Sequence, residues 1–172
     1  MCDGSVTNDP QPREERLRAA TVLAVARIRR TDLPDGYFHV WCRGVASDVA
    51  FPAAEDRTEL FRLIGHCARR FRWELHAACV LSTHYHLVLD ADVASLSRGM
   101  QQLNWRYAQS FNRRYDKFGH VFAERFATRV LEDESRIFDT CAYVLLNPVK
   151  ARLCERVEDW PWSYSRYGLH AS

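Results

Sequence analysis

The order of apolar patterns along this chain predicts an α+β fold, a ferredoxin-like antiparallel sheet with helices packed on it. Strand-like runs rich in aromatic and β-branched residues are separated by apolar stripes at helical spacing. Their order is strand, helix, strand, strand, helix, short strand and helix, which is close to the split βαβ order of such a sheet. Only Ser82 and Thr83 separate the two central strands, which predicts a tight hairpin. We expect the helices to cover one face of the sheet.

The first part of the chain contains a terminal segment and then the first strand and helix. Residues 1–16 are polar and mixed in charge, with one glycine and two prolines, which is typical of a disordered lead-in. Residues 17–172 are expected to form one domain with a C-terminal tail from about residue 152. The apolar stretch within 17–33 fits a short helix and an edge strand equally well. The predicted elements that follow are a strand over 37–42 and a helix that begins between residues 52 and 57 and continues to Phe71.

The remaining elements follow from spacing, caps and one proline. Ser95 and Ser97 are both suitable N-caps for a long helix whose apolar residues recur at steps of three and four. Pro148 is expected to end the last helix, because the residue before a proline avoids helical backbone angles. The predicted elements are strands over 73–81 and 84–90, a helix ending near residue 115, irregular chain over 116–128, a short strand over 127–131 and a last helix over 133–147.

Composition argues against a membrane protein and against a zinc site built from cysteines. Hydrophobic residues make up 47% of the 172 residues and charged residues 27%, as in ordinary globular domains. No apolar run is long enough to cross a bilayer, and the start of the chain lacks a basic region before an apolar core. None of the six cysteines forms a C-x-x-C pair, so we expect reduced, mostly buried thiols. These features predict a cytoplasmic protein with no membrane partner.

A basic, aromatic-rich segment lies between Asn104 and Val130. It holds six cationic residues and two carboxylates, with tyrosines and phenylalanines interleaved. Cations that meet phosphates and rings that meet bases suit nucleic acid. An amphipathic helix with aromatic residues in the core and solvated arginines has the same composition. The candidate DNA-binding residues of this segment are Arg106, Arg113, Arg114, Tyr115, Lys117 and Arg125.

Two histidines that flank one tyrosine open the second central strand. Side chains alternate along a strand, so His84 and His86 share one face and lie about 6–7 Å apart. Two imidazoles on one face of a strand can bind a single divalent metal ion. The alternative is a pair of histidines satisfied by backbone or carboxylate partners. His39, on the first strand, could join the same face, although we expect it to have a structural role.

Tyr143 and Asn147 lie four residues apart on the last predicted helix, so they occupy one face, one turn apart. If this helix crosses the histidine pair, the site gains an amide oxygen and a phenol. Nitrogen and oxygen ligands of this kind suit Mg²⁺ or Mn²⁺. A phenol beside a metal-bound phosphate can act as a nucleophile. Tyr107 and Tyr115 are rival tyrosines, but neither has a ligand-type residue one turn away.

With these residues in place, the chain resembles the Y1 (HUH) transposases of the IS200/IS605 type, and more closely the REP-associated tyrosine transposases. The resemblance covers roughly residues 37–167. A lone H-x-H motif is weak evidence, but an ordered series of motifs is specific. That series is Tyr37-Phe38-His39-Val40 with Arg43-Gly44, His76-Ala77, His84-Tyr85-His86, Tyr107-Ala108, Phe111-Asn112-Arg113-Arg114-Tyr115, Gly119-His120-Val121-Phe122, Arg125-Phe126, Tyr143, Asn147-Pro148-Val149-Lys150-Ala151 and Trp160-Pro161-Trp162-Ser163.

The resemblance implies an enzyme that cleaves and rejoins single-stranded, hairpin-forming REP-type DNA through a 5′-phosphotyrosine. Under it, His84, His86 and Asn147 are the metal site, Tyr143 is the nucleophile, and Arg43 joins the DNA-binding residues. The metal is Mg²⁺ or Mn²⁺, and the protein is a monomer or a homodimer. Two positions depart from the family pattern: Thr83 stands where asparagine is common, and Leu145 where histidine is common.

Two other functions remain open at this point. One is a catalytically inactive protein that still binds the REP hairpin. The other is a metal-dependent nuclease that uses water as its nucleophile, which would leave a free 5′ phosphate and no protein–DNA adduct.

Overall fold

Five antiparallel strands form one sheet in the computed structural model, which describes residues 33–45 and 49–168. The spatial order of the strands is β4-β1-β3-β2-β5. The predicted lead-in over 1–16 and nearly all of the undecided stretch over 17–33 lie outside the described residues. The strands are β1 (Gly36–Arg43), β2 (Glu74–Val80), β3 (His84–Ala91), β4 (Ala127–Val130) and β5 (Ser163–Ser165).

Within residues 33–45 and 49–168, three helices pack on this sheet, and the ferredoxin-like prediction is confirmed. They are α1 (Ala54–Phe71), α2 (Val93–Tyr115) and α3 (Glu134–Lys150), and a short 3₁₀ turn follows at Val157–Asp159. β1 and β2 flank β3, which pairs with both in antiparallel register, so α1 makes the split βαβ crossover. Sequence reasoning missed β5, because three residues carry too little pattern to predict a strand. β5 pairs with the outer side of β2.

The main core lies between the sheet and the pair α1 and α2. Alternate residues of β1 and β3 point into it, among them Val40 and Leu87, both fully buried. The apolar stripes of α1 and α2 cover them with residues such as Leu60 and Met100. The period of two along the strands therefore leaves the other alternate residues, including His39 and His86, for the opposite face.

The prediction that helices cover one face is wrong, because α3 lies on the opposite face of the sheet. Ile137, Cys141 and Val144 of α3 pack against Cys79 of β2 and Val88 of β3. The apolar stripe of a helix shows that one side is buried, but it does not say which face of the sheet receives it. Because α3 lies over β2 and β3, the same face of β1 and β4 stays open beside it.

Two predicted helix boundaries are wrong. One is the start of α2, predicted from a serine cap, and the other is the end of α3, predicted from a proline. α2 begins at Val93 with Asp92 as its N-cap, whose carboxylate accepts a hydrogen bond from the Ser95 amide at 2.7 Å, so neither Ser95 nor Ser97 is the cap. α3 continues to Lys150 and includes Pro148. Pro148 has no N–H to donate to the carbonyl of Val144. The Asn147 side-chain amide donates there at 3.4 Å, and to the Tyr143 carbonyl at 2.8 Å.

The tail completes the domain. Trp160 is buried, and its indole N–H donates to the Val80 carbonyl at 3.0 Å, so the tail covers the core beside β2. The five cysteines within residues 33–45 and 49–168 form no disulfide. In the same ranges, no helix combines the length and apolar character that a membrane span requires.

Candidate active site

The open half of the sheet forms a cleft of about 770 Å³. Its floor comes from the strands and includes His39, His84 and His86. Its walls come from α3, which contributes Tyr143, and from the chain that joins β4 to α3. The cleft therefore exists because α3 covers only half of its face of the sheet.

His84 and His86 share one face, as the spacing predicts, and their ring centroids lie 5.0 Å apart. His86 stands opposite Trp41 on β1, and His39 is its diagonal neighbour. Nε2 of His39 and Nδ1 of His86 form a hydrogen bond of 3.0 Å. Sequence reasoning expected a structural role for His39, and the register of β1 and β3 brings it into the site.

The hydrogen bonds of the two predicted ligands leave the same nitrogen available on each. Nδ1 of His84 bonds to the Thr83 hydroxyl at 2.9 Å, so Thr83 holds the ring at the hairpin. Nδ1 of His86 is held by His39. Nε2 of His86 is buried without a hydrogen-bond partner, an arrangement that costs stability unless a ligand satisfies it.

The three imidazoles are neutral at physiological pH. Burial lowers the pKa of His86 to about 3, and His39, His84 and Arg43 act in the same direction. Burial, then Arg129, lowers the pKa of His39 to about 4. Burial, then Arg43, lowers the pKa of His84. Only a neutral imidazole can bind a metal ion.

Tyr143 faces these histidines with its ring edge-on. Its ring centroid lies 5.9 Å from that of His86 and 6.1 Å from that of His39. The side chain is 44% exposed, so a substrate can reach the hydroxyl. The Lys150 ammonium lies 5.1 Å from the ring centroid, at cation–π distance. The structure thus brings together the predicted phenol and the predicted imidazoles.

The donor set is suitable for a divalent cation, although it is small. Within the described parts of the chain, no group of three or more His, Cys, Asp or Glu side chains is arranged to hold a metal ion. Two neutral imidazoles, one with an unpartnered buried nitrogen, are the strongest donors. Asn147 uses its amide nitrogen within α3, so its Oδ1 is the atom that a cation would use. Asn147 does not line the cleft itself.

The predicted DNA-binding residues divide between the two faces of the sheet. Arg43 lines the cleft beside His84. Arg106 and Arg113 belong to α2 on the opposite face, where both are exposed. Lys117 follows α2 and lies 5.9 Å from the Phe111 ring centroid, and Arg125 is exposed in the loop that precedes β4.

Arg114 and Tyr115 have a partner within the fold. Asp56 is 2% exposed and accepts a hydrogen bond from the Tyr115 hydroxyl at 2.6 Å. The Arg114 guanidinium lies 3.3 Å from the same carboxylate. These contacts join the end of α2 to the start of α1. Tyr107 is buried and donates to the Ala50 carbonyl at 2.7 Å, in keeping with packing rather than chemistry.

Sequence reasoning missed one wall of the cleft. Arg136, Asp139 and Thr140 line it. They precede Tyr143 by seven, four and three residues, so they share its side of α3. That spacing is the signal that could have found them. Arg129 also lines the cleft, where it stands opposite His39 in the register of β1 and β4. Sequence reasoning treated it only as one of the cations of the basic segment.

The fold and this cleft define a class of protein. A family model described as "Transposase IS200 like" matches residues 36–145, more than half of the chain, and the chain belongs to that family.

Two individual proteins are similar to this chain. A Haemophilus influenzae protein provisionally named as a REP-associated tyrosine transposase is 25% identical over 104 residues. The match covers 54% of this chain and 59% of that relative. A solved structure of a REP-associated tyrosine transposase bound to a REP hairpin matches with a TM-score of 0.64 and 17% identity, over 76% of this chain and 77% of that one. At this identity, the structural match establishes the shared fold.

Proposed function

We propose that this protein is a metal-dependent transposase that cleaves and rejoins single-stranded, hairpin-forming DNA of the REP type through Tyr143. The observation that carries the proposal is the position of the phenol, edge-on to His86 and His39 above an open cleft. The family to which the chain belongs, and the REP hairpin bound by its structural neighbour, favour hairpin DNA as the substrate.

The proposed reaction is a transesterification at phosphorus. The Tyr143 oxygen loses its proton and bonds to phosphorus, while the bond from phosphorus to the 3′ oxygen breaks. The 3′ oxygen gains a proton, which leaves a free 3′ hydroxyl and a 5′-phosphotyrosine. Attack by the 3′ hydroxyl of another strand reverses these changes and releases the tyrosine. The covalent bond conserves the energy of the phosphodiester, so rejoining needs no ATP.

The residues of the cleft have separate roles in this reaction. His84 and His86 would hold Mg²⁺ or Mn²⁺ in the cleft. We retain Oδ1 of Asn147, one turn after Tyr143 on α3, as their proposed oxygen ligand, although Asn147 does not line the cleft. When bound, that ion supplies charge withdrawal from the non-bridging phosphate oxygens and polarisation of the leaving 3′ oxygen. Arg43 and Arg129 line the same cleft and would hold the phosphates of the strand.

The test is a search for a covalent protein–DNA species. Single-stranded hairpin DNA labelled at its 3′ end is incubated with the protein and Mn²⁺, and the products are separated on a denaturing gel. We expect a band that migrates as protein plus DNA, that requires the metal, and that is lost in Tyr143→Phe with DNA binding retained. Tyr164→Phe, which alters a partly exposed tyrosine of β5, is the matched control and should keep the band.

The other outcomes distinguish the alternatives. Binding without any adduct in the wild-type protein would indicate an inactive hairpin-binding protein. Cleavage that leaves a free 5′ phosphate and no adduct would indicate a nuclease that uses water. An adduct that survives Tyr143→Phe would remove Tyr143 from the proposed role.

A further inference from the structure

We propose that the surface around Trp105 is a second nucleic-acid site, which binds an unpaired strand on the face of the molecule opposite the Tyr143 cleft. The inference rests on the proposed function, since it takes DNA as the ligand. This inference concerns a different surface from the proposed function and is tested by a different measurement, so either can be wrong while the other is right.

Trp105 forms a ridge between two clefts on the outside of α2. Its side chain is 57% exposed, which is unusual for a residue with so large an apolar surface. It lines a cleft of about 630 Å³ on one side and a cleft of about 710 Å³ on the other. An exposed indole held on a rigid helix is a platform on which a base can stack.

The first cleft is cationic. Arg98 and Arg106 of α2 and Arg70 of α1 line it, and its lining includes no carboxylate. None of the 23 residues of α2 is Asp or Glu, so no acidic side chain of that helix offsets the charge of these arginines. Charge complementarity therefore favours a phosphate backbone along this side of the ridge.

The second cleft has polar residues at its edge and apolar residues in its floor. Gln101 and Gln109 are exposed at its edge and carry amides that can pair with base edges. Val121 and Phe126 lie buried in its floor. Its α2 wall extends from Ser97 to Asn112, roughly 22 Å at 1.5 Å per residue, which is long enough for several nucleotides.

An unpaired strand fits this arrangement better than a duplex. If the phosphates lie in the cationic cleft and the bases in the cleft with the glutamines, a base lies over Trp105, which lines both clefts. Only an unstacked base offers its face to a side chain. α2 and α3 lie on opposite faces of the sheet, so this surface holds a part of the DNA other than the phosphate at Tyr143.

The test compares two fluorescein-labelled DNAs by anisotropy, a blunt hairpin and the same hairpin with a ten-nucleotide single-stranded flank. Tyr143→Phe is the background, so that no cleavage occurs. Trp105→Ala should weaken binding of the flanked hairpin about tenfold and leave the blunt hairpin unchanged. Trp105→Phe should keep most of the affinity because it keeps a stacking ring. Phe138→Ala, which removes an aromatic side chain of similar exposure on α3, is the control and should change neither.

The salt dependence separates stacking from charge. Arg70→Gln with Arg98→Gln should reduce the slope of log Kd against log salt for the flanked hairpin by about 1.4, whereas Trp105→Ala should leave the slope unchanged. Equal loss for both DNAs in Trp105→Ala, or no loss for either, would overturn the assignment. These readouts do not need the covalent adduct, so a wild-type protein that binds but forms no adduct would contradict only the proposed chemistry.

Discussion

The hydrogen bond between His39 and His86 determines which ring nitrogen of His86 is available to a metal ion. If His86 binds a metal through Nε2, its Nδ1 must carry the proton and donate it to Nε2 of His39. His39 then fixes both the tautomer and the ring orientation of His86, as partners of metal-bound histidines usually do. His39 is in this sense a positioning residue.

His39→Ala should therefore weaken Mn²⁺ binding without removing a ligand. We expect a loss of affinity of about tenfold, measured by electron paramagnetic resonance titration of free Mn²⁺, because partners of metal-bound histidines contribute at least that much. His39→Gln keeps an acceptor for the His86 proton and should recover part of the loss. His120→Ala, at an exposed histidine, is the control. Unchanged affinity in His39→Ala would contradict the positioning role.

At the scale of the helix, Asn147 has a structural task beside its proposed role as a ligand. Its side-chain amide supplies a donor that Pro148 lacks, and this helps α3 to continue to Lys150. The sequence pattern could not show this, because a proline usually ends a helix and the side chain of the preceding residue is not part of that rule.

The two tasks of Asn147 can be separated with a double variant. Asn147→Ala should lower the free energy of unfolding by about 1 kcal/mol, since it removes a side-chain hydrogen bond to the helix. Asn147→Ala with Pro148→Ala restores a backbone N–H at that position and should recover most of this stability in urea denaturation. Mn²⁺ affinity and adduct formation should not recover. Recovery of both would mean that Asn147 acts only through the helix.

The contact of α2 with Phe71 at the end of α1 and with Trp73 just before β2 depends on one glycine. A Cβ atom at Gly99 would lie 2.1 Å from the Trp73 ring and 2.9 Å from the Phe71 ring, too close for any side chain. Gly99→Ala should lower the free energy of unfolding by about 1–3 kcal/mol through this overpacking. Gly65→Ala, on α1, meets only the flexible end of Arg69 at 3.7 Å and should be neutral or stabilising. Thermal denaturation of Gly99→Ala and Gly65→Ala measures whether each variant is less or more stable than the wild type. Equal melting temperatures of the two variants would contradict the tight contact.

The whole molecule should lose stability in mild acid. Four histidines, His39, His76, His84 and His86, have pKa values lowered mainly by burial. The unfolded chain binds protons at these positions below about pH 6.5, whereas the folded protein does not, so stability falls as the pH falls below that value. For His86, which is 6% exposed, the loss between pH 6.5 and 5 is about 2 kcal/mol.

Urea denaturation at pH 7.5 and 5.0, in the presence of a chelator, measures this loss. His86→Asn removes one of the four groups and should flatten the pH dependence. A free energy of unfolding that stays constant between these pH values would show that the buried imidazoles take up protons without cost.

Much of the fold was predictable, because it depends on local patterns. The alternation of β1 and β3, the stripe of α2 and the short hairpin before His84 each determine an element and its neighbour. The His84 and His86 pair follows from the period of a strand alone. The face chosen by α3 and the register that brings His39 to His86 depend on contacts between distant elements, which no local pattern encodes.

The most direct measurement of the central claim is the identity of the residue that carries DNA. Trapped protein–DNA species are digested with a protease and a nuclease, and the modified peptide is sequenced by mass spectrometry. The account predicts a nucleotide joined through its 5′ phosphate to Tyr143 in the peptide from α3. A modification on any other residue, or a hairpin cleaved efficiently without any modified peptide, would contradict it.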